Sequence, residues 1–297
     1  MSKAPDKDEL TGIDTTGHDW DGITELDNPL PRWWLYMFYA SIVIAILGWI
    51  WYPSWPIWVG EWTYSKGIAG FSKRAEVTAE LQRVADGREV YYQQIREQPL
   101  EAVINDPQLL RISMAGGAAA FGDNCAPCHG SGAQGFVGFP NLNDDAWLWG
   151  GTLSDIYQTL QHGIRWEADY ETRLSVMQGY LADQILTRND VSDVVDYVLS
   201  FHDQAEDEAA VARGQVTFEQ ICSACHGTDA KGMKELGAPN LTDAIWLYGG
   251  DRAAIYESVA NGRAGVMPAW AGRLDDATIK QLAIYVHSLG GGQDEVN

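Results

Sequence analysis

Two short segments decide how this chain folds: Cys-Ala-Pro-Cys-His at 125–129 and Cys-Ser-Ala-Cys-His at 222–226. The chain has 297 residues and four cysteines, and all four cysteines lie in these segments. Cys-x-x-Cys-His is the attachment signature of c-type haem. Two thiols separated by two residues can both bond to the vinyl groups along one edge of the porphyrin, and the next residue, histidine, is then placed under the iron. The pattern predicts two covalently bound haem c groups, attached through Cys125, Cys128, Cys222 and Cys225.

The two segments belong to an internal repeat. Gly117 and Phe121 precede the first segment, and Gly214 and Phe218 precede the second at the same offset of 97 residues. Later matches have an offset of 99, namely Asn141, Trp147 and Gly150 with Asn240, Trp246 and Gly249. Residues 107–204 and 210–293 are therefore predicted to be two homologous, mainly helical domains joined by a short acidic link.

The axial ligands of the iron follow from the same repeat. His129 and His226 are the predicted proximal ligands, and methionine is the usual second ligand in cytochromes c. Met267 is the candidate in the second repeat, where Pro268 stiffens the loop. Met177 is the candidate in the first repeat, which has nine extra residues before the methionine and no proline after it. Pairing within each repeat is the default expectation, His129 with Met177 and His226 with Met267, although an exchange between adjacent haems is geometrically conceivable.

The other histidines and methionines are expected to have structural roles. Met114 and Met233 lie too close in sequence to their Cys-x-x-Cys-His segments to reach the opposite haem face. None of the other histidines lies at a repeated position, and the role of His162, next to Gly163, is the most open; these residues are His18, His162, His202 and His287.

Three other readings of the cysteines are possible. Four cysteines could form two disulfides in an oxidising compartment. A shared zinc site would have 93 residues between its two Cys-x-x-Cys halves, whereas zinc ribbons have about 15–20. A thioredoxin-like redox site expects a βαβ context, which is missing. None of these readings explains the two histidines.

A membrane span is predicted near the N-terminus. No charged residue occurs between Arg32 and Glu61, and residues 33–52 read WWLYMFYASIVIAILGWIWY, which is long enough to cross a bilayer core as a helix. Tryptophan and tyrosine cluster at both ends, as at the two membrane interfaces. Three segments are therefore expected: an N-terminal segment at 1–32, a transmembrane helix at 33–52 and a linker at 53–106.

The side on which the haem domains lie is predicted from haem attachment. Haem is normally attached on the periplasmic side of the bacterial inner membrane, which places the N-terminus in the cytoplasm. The few basic residues near the span mildly favour the opposite orientation, but long domains cross the membrane regardless of charge. A single-pass protein with periplasmic haem domains is the prediction.

The linker and the overall charge point to protein partners. Val77, Leu81 and Val84 have helical spacing, so the linker is expected to be partly helical. It would lie against a partner or the membrane, or be a solvated helix with no specific contact. The net charge of the chain is -21, which makes nucleic acid a poor partner. A basic protein partner fits better, because opposite surface charges steer two proteins together. The alternative from composition is that the acidic excess only keeps the protein soluble.

These features together resemble one family. The segments at 21–34 and 52–56, with two Cys-x-x-Cys-His repeats, resemble the dihaem subunit III (CcoP or FixP) of cbb3-type cytochrome c oxidases along nearly the whole chain. The resemblance implies a mainly α fold, with one N-terminal transmembrane helix followed by two tandem class I cytochrome c domains.

The resemblance also implies a function. Such a subunit takes electrons from a soluble cytochrome c or an upstream cytochrome complex. It passes them through a monohaem cytochrome c subunit to the catalytic haem–copper subunit, which reduces oxygen to water and pumps protons. The chain would be an electron carrier without an oxygen site of its own. Two alternatives remain open at this point: an electron-carrier subunit of another membrane redox complex, and a dihaem peroxidase-like enzyme with a displaceable ligand at Met177.

Overall fold

The fold is known from a computed structural model that describes residues 6–294. The first five residues of the predicted N-terminal segment at 1–32 lie outside the described residues. The chain divides into two units, one ending at Ala85 and one beginning at Asp86, and helix α2 (Lys73–Glu97) contains this boundary.

The first unit is built around one long apolar helix. Two β-hairpins flank this helix in the sequence, β1 with β2 before it and β3 with β4 after it. In chain order the elements before α2 are β1 (Thr15–Trp20), β2 (Ile23–Leu26), α1 (Arg32–Trp51), β3 (Pro56–Trp58) and β4 (Trp62–Tyr64).

The hairpin of β1 and β2 was not predicted from the sequence. Trp20 pairs with Ile23, so only Asp21 and Gly22 form the loop, and both have positive φ, 51° and 90°. A two-residue loop of this kind needs positive φ at both positions, and Asp-Gly is among the sequences that favour it. The signal was present in the sequence as Asp-Gly between apolar residues.

Helix α1 has the properties of a membrane span. It is 20 residues long, has no charged residue after Arg32, and none of its side chains is buried. Its last carbonyl groups accept hydrogen bonds from the chain that folds back after β4: Ile68 donates to Ile50 and Ala69 to Trp51, both at 3.0 Å. A helix end in or near a membrane needs such partners, because hydrocarbon offers none.

The second unit contains the remaining helices, and both repeats lie in it. Its elements are α3 (Leu100–Asn105), α4 (Pro107–Asn124), α5 (Ala126–His129), α6 (Leu153–His162), α7 (Arg188–Ser200), α8 (Glu208–Thr217), a π-helical turn (Phe218–Cys222), α9 (Ser223–His226), a 3-10 turn (Lys234–Leu236), α10 (Arg252–Asn261) and α11 (Asp276–His287).

The two repeats exchange their last helices. Helix α4 of the first repeat packs against α11 of the second, and α8 of the second packs against α7 of the first. The close approaches occur at glycines: a Cβ on Gly117 would lie 2.3 Å from the Gln281 carbonyl oxygen, and one on Gly214 would lie 2.0 Å from that of Asp193. The boundaries at 107–204 and 210–293 therefore describe repeats in the sequence, whereas each core is built from both.

Two of the three hydrophobic cores among the described residues lie at the two Cys-x-x-Cys-His segments, and both reflect this exchange. The first core combines Phe121, Cys125, Ile156 and Leu160 of the first repeat with Leu282 and Val286 of the second. The second core combines Phe218, Cys222, Ile255 and Val259 of the second repeat with Val194 and Val198 of the first.

Helix α2, in the predicted linker, ends against α11, and its buried Ile95 belongs to a third core with Leu109 of α4 and Ile284 of α11. Lys280 of α11 is 9% exposed, and its ammonium donates to the carbonyls of Ile95, Arg96 and Gln98 at 2.7–3.1 Å. A cation at these unpaired carbonyls stabilises the C-terminus of a helix. The part of the linker from Asp86 onward is thereby joined to the haem-domain unit, while Val77, Leu81 and Val84 are exposed.

Candidate cofactor sites

The first Cys-x-x-Cys-His segment opens onto an apolar cavity. Cys125, Cys128 and His129 line this cavity together with Met267. Helix α4 carries the chain to Cys125, and α5 presents the histidine. Met267 belongs to the second repeat and arrives on the segment that leads into α11.

The second segment opens onto a cavity of the same kind. Cys222, Cys225 and His226 line it together with Met177. Here the methionine belongs to the first repeat and lies on the segment that leads into α7. Among the methionines of residues 6–294, Met267 alone lines the first cavity and Met177 alone lines the second.

The structure places Met267 in the cavity of His129 and Met177 in the cavity of His226, which is the exchange between adjacent sites rather than the default pairing within each repeat. The physical reason is the helix exchange, because each methionine segment precedes the helix that crosses over. Reciprocal backbone hydrogen bonds fix both segments: Met267 with Ile164 at 2.9 and 3.0 Å, and Met177 with Arg263 at 3.0 and 2.9 Å. Ile164 and Arg263 directly follow the glycines that end α6 and α10, so each methionine is held by the repeat whose cavity it lines.

Both histidines are oriented for metal binding. Nδ1 of His129 lies 3.0 Å from the Pro140 carbonyl oxygen, and Nδ1 of His226 lies 3.1 Å from that of Pro239. A carbonyl only accepts, so Nδ1 carries the hydrogen and Nε2 keeps its lone pair for a metal. Burial lowers the pKa of both imidazoles, opposed in part by these hydrogen bonds.

The four cysteines fall into two equivalent pairs. Cys125 and Cys222 are buried, while Cys128 and Cys225 are exposed. Burial, followed by the neighbouring cysteine, raises the pKa of the Cys125 and Cys222 thiols to about 11. Since the two pairs line different cavities, they do not share one zinc ion. No disulfide joins them.

The residues present fit a covalently attached haem at each cavity. Both cavities have walls that are mostly apolar, and no Asp or Glu of residues 6–294 lines either one. Two thiols and a histidine come from one short segment, and a thioether sulfur comes from another. Cys125, Cys128, His129 and Met267 would hold one haem, and Cys222, Cys225, His226 and Met177 the other.

The remaining candidates have other partners. Met114 accepts a hydrogen bond from Ser288, and Met233 pairs with Ala238 outside both haem cavities. His162 lies between two carboxylates, 3.1 Å from Asp169 and 3.2 Å from Glu171. The other three histidines also contact oxygen atoms: His18 at Glu25, His202 at the Leu241 carbonyl and His287 at the Gln293 carbonyl.

Sequence reasoning missed the wall between the two cavities. Five residues line both of them: Leu148, Arg165, Leu247, Tyr248 and Gly265. Leu148 and Leu247 are equivalent in the repeat, at the offset of 99 found for the neighbouring tryptophans. That equivalence is a signal that could have located the point where the two sites meet.

Three family models match successive parts of the chain. The model described as the N-terminal domain of cytochrome oxidase-cbb3, FixP, matches residues 12–59. The cytochrome c model matches residues 114–202, and the model of cbb3-type cytochrome c oxidase subunit III matches residues 209–286. Cytochrome c domains imply covalently bound haem c.

Curated relatives match along nearly the whole length. The chain is 51% identical over 295 residues to the cbb3-type cytochrome c oxidase subunit CcoP of Azospirillum sp. strain B510, covering 97% of this chain and 98% of the relative. It is 49% identical to the CcoP subunit of Cereibacter sphaeroides, covering 99% and 100%. The FixP subunit of Bradyrhizobium diazoefficiens is also 49% identical, with coverage of 99% and 100%.

Proposed function

The chain belongs to the family of subunit III of cbb3-type cytochrome c oxidases, and we propose from this premise that it is the dihaem electron-transfer subunit of such an oxidase. It takes electrons from a donor cytochrome and delivers them toward the catalytic subunit, where oxygen is reduced to water. The chain itself holds no oxygen site in this proposal.

The single observation that supports this most is that each cavity brings together two cysteines, one histidine and one methionine. A haem bound through these residues supplies one-electron transfer between ferric and ferrous iron, and methionine as second ligand raises its reduction potential. The cysteines would attach the group, the histidine would bind it through Nε2, and the methionine would supply the second ligand. Because the chain would supply both a histidine and a methionine ligand, neither site would leave an open position for substrate, which favours electron transfer over the peroxidase-like alternative.

The location and partners form part of the proposal. Helix α1 anchors the chain in the membrane. The haem domains lie in the periplasm and the N-terminal segment in the cytoplasm, because c-type haem is attached on the periplasmic side. The partners are the catalytic haem–copper subunit, the monohaem cytochrome c subunit, and a soluble cytochrome c or upstream cytochrome complex as donor.

Haem stoichiometry and a redox titration of the purified full chain test the proposal. We expect two haems per polypeptide that survive denaturation, both low-spin, with the far-red charge-transfer band of methionine-ligated ferric haem. One haem per chain, or a high-spin haem that binds carbon monoxide, would overturn the two-haem electron-carrier function.

A further inference from the structure

The wall shared by the two cavities contains one cationic side chain. Arg165 lines both cavities and is half-buried. Apart from the predicted histidine ligands, no other cationic residue of the described chain lines the first cavity, and Arg263 is the one further cation at the second. Arg165 is therefore placed to act on both sites at once.

The guanidinium of Arg165 contacts the two methionine segments at equivalent positions. Its Nε donates to the Gly265 carbonyl at 2.6 Å, and one terminal nitrogen donates to the Ser175 carbonyl at 2.6 Å. Gly265 lies two residues before Met267, and Ser175 lies two residues before Met177. One planar group thus joins the backbones of both segments, a geometry that a fork of fixed N–H donors provides.

Arg165 lies in the segment between Gly163 and Met177, which is nine residues longer than its counterpart between Gly262 and Met267. The two ends of this loop are joined by hydrogen bonds: the Arg165 N–H donates to the Arg173 carbonyl at 2.8 Å, and the Trp166 N–H donates to the Thr172 hydroxyl at 3.0 Å. Arg165 has φ of 52°, a left-handed conformation that non-glycine residues adopt at a cost and that is found at functional sites. The insertion has no counterpart in the second repeat, so one arginine serves both sites.

We propose that Arg165 is a positioning residue for both axial methionines. By holding the Ser175 and Gly265 carbonyls together, it keeps the segments of Met177 and Met267 against their cavities. A loss of this contact weakens methionine ligation at both haems, whereas a residue that contacts one cavity affects one haem. This inference rests on the proposed function, because it requires a haem at each cavity.

The test compares Arg165→Gln and Arg165→Lys with the matched control Arg263→Gln. Arg263 lines only the second cavity, where its guanidinium lies 4.2 Å from the Tyr248 ring centroid and its Nε donates to Ser258 at 3.0 Å. In each purified full-length holoprotein, the far-red band of the ferric state is followed as pH is raised, together with the two midpoint potentials and the haem content.

In Arg165→Gln we expect the pH at which the whole far-red band is lost to be lower by about one unit. This corresponds to a tenfold change in the equilibrium for methionine displacement. Both midpoint potentials should fall, since methionine ligation raises them. Arg165→Lys should behave like Arg165→Gln, because an ammonium keeps the charge but not the planar pair of donors. In Arg263→Gln, at most half of the far-red band should be lost at a lower pH, and only one of the two midpoint potentials should fall.

Other outcomes distinguish a failure of the proposed function from a failure of the role of Arg165. Fewer than two haems in the unsubstituted chain would refute the proposed function. Two haems with an unmoved band in Arg165→Gln, or a shift of one haem only, would refute the role of Arg165 while leaving the proposed function intact. A band in Arg165→Lys that matches the unsubstituted chain would assign the effect to charge and overturn the positioning role. If Arg165→Gln does not retain both haems, the far-red band of Arg165→Lys alone tests the positioning role.

Discussion

At the scale of single residues, the exchange of methionines can be tested in a chain that holds one haem. Replacement of Cys125 and Cys128 by alanine leaves attachment only at Cys222 and Cys225. In this background we expect Met177→Ala to abolish the far-red band of the ferric protein, because Met177 lines the cavity of His226. The visible spectrum of the ferric protein is the measurement.

Met267→Ala in the same background is the control. Met267 lines the other cavity, so the band should persist. If instead the band is lost with Met267→Ala and kept with Met177→Ala, the methionines pair with the histidines of their own repeats.

A second residue-scale prediction concerns a buried ion pair between the repeats. Asp196 of α7 is 4% exposed and accepts hydrogen bonds from Arg252 of α10 and from the Glu206 N–H, each at 3.0 Å. The hydrogen bonds from Arg252 lower the pKa of the Asp196 carboxyl below its ordinary value of 3.8. Because the folded pKa lies below the unfolded one, the pair stabilises the fold fully above that ordinary value and loses this effect as pH falls through the folded pKa.

Asp196→Asn should therefore lower the free energy of unfolding at pH 7 by about 1–3 kcal/mol. The free energy of unfolding of this variant should also fall less steeply as pH is lowered below about 4. Denaturant titrations across this range measure both effects. Asp193→Asn is the control, because its partner Arg213 is 58% exposed and exposed pairs contribute about 0–1 kcal/mol. Equal effects of the two variants would contradict the assignment.

The residues of the sites could be predicted from sequence, but their pairing could not. Two thiols, a histidine and a methionine per repeat follow from haem chemistry and from the repeat itself. The two methionine segments, Ser-Val-Met and Gly-Val-Met, are nearly alike, and so either one suits either cavity. The choice depends on which helix crosses over, which long-range packing decides. Arg165 was missed for a related reason, since an insertion in one repeat has no counterpart that would reveal it.

At the scale of helices, the crossing of α4 with α11 depends on a glycine. A Cβ at position 117 would come within 2.3 Å of the Gln281 carbonyl oxygen and 2.6 Å of the Tyr285 Cβ. Since backbone must move to admit it, we expect Gly117→Ala to cost about 1–3 kcal/mol and to lower Tm. Thermal unfolding followed by circular dichroism measures the change.

Gly122 in the same helix supplies the control. A Cβ there meets nothing within 4 Å, so Gly122→Ala should leave the fold unchanged and stabilise the helix by about 0.5–1 kcal/mol. Similar losses in both variants would mean that helix propensity, not the α4–α11 contact, explains the effect. The sequence placed Gly117 and Gly214 at equivalent positions but did not show that each meets a helix of the other repeat.

The elements of the first unit were predicted in part. A long uncharged run bounded by prolines predicts a helix at 33–52, and the structure has it at Arg32–Trp51. The spacing of Val77, Leu81 and Val84 predicts a helix, and α2 contains all three. Both hairpins were missed, because short strands whose residues are mostly exposed lack the alternation of apolar and polar residues that marks a half-buried strand.

At the scale of the whole molecule, we expect charge to govern the encounter with the proposed donor. Asp and Glu number 41 against 20 Lys and Arg, a net charge of -21. A chain with this excess attracts a basic cytochrome c over distances of about a Debye length, roughly 10 Å at 0.1 M salt, and salt shortens that reach. The second-order rate of electron transfer from a basic donor should therefore fall by about tenfold or more as salt is raised from low to physiological concentration.

An acidic cytochrome c of similar potential is the matched control for this last prediction. Like charges repel, so its rate should be low at low salt and rise as salt screens the repulsion. Stopped-flow measurement of both donors with the purified full-length holoprotein gives two slopes against ionic strength. Opposite signs would establish that acidic surface charge guides the donor. Two slopes near zero would mean that docking depends on short-range apolar contacts around the exposed cysteine edges, Cys128 and Cys225, and the acidic excess would then serve solubility alone.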